Sequence, residues 1–269
     1  VVLRGLMFHL TESMMKTNSD DVPENLFVYL KRIRHEAVAR AKIEDFERLG
    51  PVEKAEFRGA TLATASFYRC LGSLVESFAD DGMMDRIHAR MLAILQRGAA
   101  VDGPRPLAFG EFGASLNRID IHSRKKWDSV FVGHLDVGIA QDRRRVWVGM
   151  ELDCARHYFD SPSKLSRVQV MLGVGLLSDL SYSEAAQEYV FANPELTGQH
   201  FGSRSAFMWL DQPLSLDLRV DLPFEVPQGV HLVVTVWVWF LDALWDEPFM
   251  SRVGSKIVEQ NLQNLRNQV

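Results

Sequence analysis

Residues 230–241 read Val-His-Leu-Val-Val-Thr-Val-Trp-Val-Trp-Phe-Leu, a run that few folds can accept. It is too short to cross a bilayer as a helix, which takes about 20 residues. Its β-branched residues recur in alternation, so it predicts a strand. Val230, Leu232, Val234, Val236, Val238 and Phe240 share one face; His231, Val233, Thr235, Trp237 and Trp239 share the other. Both faces are mostly apolar, which predicts a central strand covered on both sides. Any fold for this chain must therefore bring one apolar layer to each face of that strand.

Residues 1–102 read as helical. Leu26, Leu30, Ile33, Ala37, Val38 and Ala41 recur at three- and four-residue steps behind Pro23, and Gly50-Pro51 ends that helix. A second helix carries Ala60, Leu62, Ala63, Phe67, Leu71, Leu74 and Phe78 on its apolar side. A third runs from about Met83 to Arg97 with Met84, Ile87, Met91 and Leu95 inward, and Gly98 ends it. Short connections make such helices antiparallel neighbours.

Gly103-Pro104-Arg105-Pro106 marks a change of texture, and residues 103–269 are β-rich. Ser129–Ile139 and Val146–Leu152 predict a hairpin around the turn Gln141-Asp142-Arg143-Arg144. Ala206–Leu210 and Leu214–Val220 predict further strands. Leu165, Val168, Met171 and Leu172 are spaced as on a helix, which Gly173 and Gly175 weaken. Ser181 to Glu184 resembles a capping box opening a short helix through Val190. A last helix is expected from about Pro248 to Arg266. The fold class is α+β: an N-terminal antiparallel helical region, then a mostly antiparallel β-sheet with flanking helices and a C-terminal helix. The regions 1–102 and 103–269 fit two domains or one continuous domain.

Charge narrows the partners. The net charge is −5, and all the excess acid lies in 161–269, with 7 basic and 12 acidic residues. A nucleic-acid binder usually shows a basic domain or stripe, so that partner is not favoured. Two local basic runs, Arg124-Lys125-Lys126 beside Trp127 and Arg143-Arg144-Arg145, could contact phosphates. Cys70 and Cys154 form no metal-binding spacing and fit thiols in a reducing compartment. No transmembrane helix or signal peptide is expected, so the expectation is a cytoplasmic protein with no membrane partner.

The residues most suited to chemistry sit on the expected hairpin. Asp136 lies on one strand and Glu151 at the end of the other. Neighbouring strands lie about 5 Å apart. Two carboxylates there can share a hard divalent ion such as Mg or Mn, and Glu111 could add a third. His134 and His157 flank this stretch. The order of residues 111–153 resembles the PD-(D/E)xK nuclease core, which places Asp and Glu on a hairpin and usually follows with Glu-x-Lys. Here Asp153 stands at the lysine position. That departure removes the catalytic cation that the resemblance implies.

Three readings follow. The first is a non-enzymatic interaction or assembly subunit that binds a protein partner or itself and needs no cofactor. Trp237, Trp239 and Trp245 are its candidate interface, since tryptophan is enriched at interface centres. If the chain's own helices leave that aromatic face bare, another subunit must cover it. The second is a divalent-metal-dependent phosphodiesterase or nuclease. Asp136 and Glu151 would hold the ion, Glu111 would assist, and Lys126 would neutralise substrate. The third is a small-ligand-binding domain walled by the aromatic strand.

Overall fold

The computed structural model describes residues 46–73, 75, 79–80, 82–98, 103–112, 116, 127–160, 165–242 and 255–258. The backbone divides into two compact units, Val1–Pro51 and Val52–Val269. The first contributes residues 46–51, where the Leu49 amide donates to the Phe46 carbonyl at 3.2 Å. The helix expected before Gly50 otherwise lies outside the described residues, as do Lys126 and Trp245.

In chain order the elements are α1 (Pro51–Cys70), α2 (Met83–Arg97), α3 (Phe109–Phe112), α4 (Trp127–Val130), β1 (Asp136–Ile139), β2 (Arg145–Leu152) and α5 (Ala155–Tyr158). Then come β3 (Leu165–Ser178), β4 (Leu180–Ser183), β5 (Glu188–Phe191), β6 (His200–Arg204), β7 (Met208–Trp209), β8 (Leu214–Asp221), β9 (Val230–Asp242) and β10 (Ser255–Val258). The fold is α+β. Five strands form one antiparallel sheet in the order β10-β9-β3-β6, with β7 also on β3. A second antiparallel sheet has the order β1-β2-β8, and β4 pairs with β5.

The strand at 230–241 is central, as its two apolar faces require. Val230, Leu232, Val234, Val236, Val238 and Phe240 of β9 enter a core with Val168, Val170, Leu172, Val174 and Leu176 of β3. Val146, Val148, Met150 and Leu152 of β2, with Leu214, Leu216, Leu218 and Val220 of β8, close that core from the other sheet. On the opposite face, Val233, Trp237, Met171 and Leu177 meet Ala60, Ala63, Phe67, Ile87, Met91 and Leu95 of α1 and α2. The result is three layers: helices, a five-stranded sheet and a three-stranded sheet.

This layering corrects one interface expectation. Trp237 is 0% exposed. The helices cover it, and its indole Nε1 donates to Thr235 Oγ1 at 3.0 Å. Trp239 is half-buried against the same helix-side core.

Local departures have local causes. Residues 165–178 form a strand rather than a helix, because both faces of β3 are covered and the period-2 signal disappears. The glycines read as helix-weakening serve close approach. A Cβ on Gly175 would overlap the Cys70 backbone at the end of α1, and one on Gly173 would sit 2.5 Å from Thr235 Oγ1. Cys70 is fully buried there, its thiol donates to the Leu176 carbonyl at 3.0 Å, and burial pushes its pKa up to about 12.

The capping-box segment is a β4–β5 hairpin. Ser183 Oγ accepts from the Ala186 amide, and Gln187 takes φ 55°, which turns the chain back. Within the expected last helix, the described residues 255–258 are strand β10. In α2 the bounds are as expected, but Met83 is buried and Met84 is 42% exposed.

Candidate functional site

The outer face of the three-stranded sheet is built by two registers. In β1–β2, Asp136 pairs with Gly149 and Gly138 with Trp147. In β2–β8, Arg145 pairs with Asp221, Trp147 with Arg219, Gly149 with Asp217 and Glu151 with Ser215. Paired residues point to the same face, and the next residue but one does too. One cross-row of this face therefore reads Gly138, Trp147, Arg219. The next reads Asp136, Gly149, Asp217. Glu151 and Ser215 follow.

The partner residues Val146, Val148, Met150 and Leu152 alternate inward and anchor β2 in the core. Leu214, Leu216, Leu218 and Val220 do the same for β8. Alternation thus leaves the other set in solvent. Together these side chains line a concave groove of about 910 Å³, open to solvent and bordered also by His134, Ala140 and Arg145.

Two glycines shape the groove differently. A Cβ on Gly138 would overlap the Trp147 indole, so the ring lies against the Gly138 backbone. A Cβ on Gly149 would meet nothing nearer than Asp136 Cβ, at 3.7 Å. Packing demands a glycine at the first position and not at the second. Gly149 leaves an uncovered peptide between Asp136 and Asp217.

The hairpin turn is held from behind. Arg143 adopts φ 54°, and its guanidinium donates to the carbonyls of Val226, Pro227 (2.9 Å) and Val230. Burial lowers the pKa of this arginine. The Arg144 amide donates to Asp142 Oδ1 at 3.0 Å. The Arg143-Arg144-Arg145 run thus includes a clasp at Arg143, and at Arg145 an ion pair with Asp221 at 2.6 Å. The other basic run, 124–126, lies outside the described residues.

Charges on the face are unevenly matched. Arg219 grips both carboxylate oxygens of Asp217, which holds that aspartate below its ordinary pKa and raises the arginine's. Arg145 is matched by Asp221. Asp136 and Glu151 are exposed and stand on the same face as diagonal neighbours, a relation that puts Cα atoms about 7–8 Å apart.

Glu111 is not brought to them. Its helix α3 is on the helix side of the five-stranded sheet, where Phe109 is buried and its amide donates to Asp179 Oδ1. The groove is on the outer face of the other sheet. Packed sheets lie about 10 Å apart, too far for a shared ion. Among the described residues, no three His, Cys, Asp or Glu side chains converge as a metal site. Sequence reasoning missed Asp217, Arg219 and Ser215. Their alternation with leucines marked an exposed strand face, but nothing in the sequence paired β8 with β2.

Comparison with known proteins returns no matching family model, no matching curated protein and no matching solved structure. The geometry of the face is therefore the ground for reading its function. Among the described residues no helix is long and apolar enough to cross a membrane.

Proposed function

We propose that this chain is a non-enzymatic interaction or assembly subunit that docks a partner protein on the outer face of its three-stranded sheet. The observation that carries the reading is the open groove of about 910 Å³ over β1, β2 and β8, lined by Trp147, whose ring is seated on Gly138, and by Gly149 in the next row. An open, aromatic-bearing sheet face suits an extended partner segment. Indoles recur as anchors at interface centres. The reading calls for no cofactor. Both cysteines are free thiols, which fits a cytoplasmic setting.

Two facts favour docking over the other readings. A phosphodiester substrate would need free cations at the groove, and both arginines there are already matched by aspartates of β8. A small-ligand pocket walled by the aromatic strand would need Trp237, which is packed against the helices.

The test is photo-crosslinking in cells, with a photo-reactive residue replacing Ser215 in the groove or Glu188 on the distant β5. Both positions are exposed. The proposal expects a discrete protein adduct from 215 and none from 188. No adduct at 215, or equal adducts at both, overturns it.

A further inference from the structure

Resting on that docking reading, we infer that the groove takes a cationic side chain of the partner, a lysine or arginine, over the bare Gly149 peptide. Three features place the cation there. Asp136 and Asp217 flank Gly149 across the strands, and Glu151 follows it along β2. Trp147 precedes it on the same face. Among aromatic rings the indole attracts a cation most strongly, and this one is seated on Gly138 in the neighbouring row.

The charge balance points the same way. Each arginine of the face is matched by an aspartate of β8, so the charge left over is that of Asp136 and Glu151. An acidic partner would meet those two carboxylates. A neutral one would bury them without compensation.

Gly149 supplies the space. A Cβ at this position would meet only ordinary van der Waals contacts. Glycine in a strand interior costs about 0.5–1 kcal/mol relative to alanine, and here no packing contact requires that cost. A strand glycine can mark a place where a ligand approaches closely.

The experiment follows the Gly149 amide resonance of the full chain while N-acetyl-trilysine amide is titrated in, with N-acetyl-triglutamate amide as the opposite probe. The inference expects the lysine peptide to shift Gly149 and the Trp147 indole, with saturation. Raising salt from about 25 to about 300 mM should weaken this binding, because exposed charges are then screened. Asp136→Asn and Glu151→Gln should each weaken it roughly fivefold. Gly149→Val, which fills the floor, should abolish it. Lysine-peptide binding indifferent to all three variants, or equal binding of the glutamate peptide, overturns the inference. A crosslinked partner at Ser215 with no lysine-peptide binding also overturns it and leaves the docking reading standing. Failure of both experiments ends both.

Discussion

Asp136 and Glu151 share one face of the three-stranded sheet because Asp136 pairs with Gly149, two residues before Glu151. The register thus puts a glycine, not a second carboxylate, directly opposite Asp136. Between the two carboxylates the face therefore offers a glycine floor edged by acids.

The two glycines of the groove should respond in opposite ways. Gly138→Ala must push the Trp147 ring off its seat and should cost roughly 1 kcal/mol. Gly149→Ala meets only ordinary contacts and should be neutral or stabilising by about 0.4–1 kcal/mol. Urea unfolding of both variants decides this. Equal stability of the two would contradict the geometry.

Gly175 should be less forgiving than either. Its hypothetical Cβ meets the Cys70 backbone, which cannot rotate away as a side chain can. Gly175→Ala should therefore destabilise by about 2–3 kcal/mol, since α1 must lift off β3. A thermal melt indistinguishable from the parent's would show that α1 does not rest there.

The Arg143 clasp is expected to matter more than its place in a surface turn implies. Arg143→Ala removes donors from three carbonyls of the 226–230 loop and should cost roughly 2 kcal/mol. Arg144→Ala, one residue on and exposed, should cost about 0.5 kcal/mol or less. Comparable losses from both would dismiss the clasp.

His200 sets a pH dependence. Its ring lies against Gly72, and its Nε2 is buried without a hydrogen-bond partner. Burial lowers its pKa from the ordinary value of 6.5. The unfolded chain therefore takes up this proton first as pH falls. Native stability should decline from about pH 6.5 downward and level off once the folded-state imidazole is also protonated. His200→Gln should flatten that portion of the stability profile. An unchanged slope in the variant would assign the acid sensitivity to other groups.

How much of this was legible in the sequence varies by element. The apolar residues on both faces of 230–241 announced a covered central strand, and α2 was bounded by Met83 and Gly98. β2 and β8 alternate because one face is solvated. β3 misled because both its faces are buried, so Leu165, Val168, Met171 and Leu172 fell by chance on a helical spacing. Its glycines made sense only once α1 lay against them. In the Ser181–Glu184 segment it is Ser183 whose side chain closes a turn, a use that a hairpin and a helix start share. The groove was half legible. The hairpin placed Asp136 near Glu151, but Asp217 and Arg219 arrive from β8 through a long-range pairing that local pattern does not encode.

The most direct test of the docking face is the Ser215 photo-crosslink repeated in a Gly149→Val background. Valine favours a strand, and its Cβ would meet nothing nearer than Asp136 Cβ at 3.7 Å, so the melting temperature should stay within a few degrees of the parent's. The account predicts that the protein adduct disappears while the fold persists. A full-strength adduct from the folded variant would contradict it.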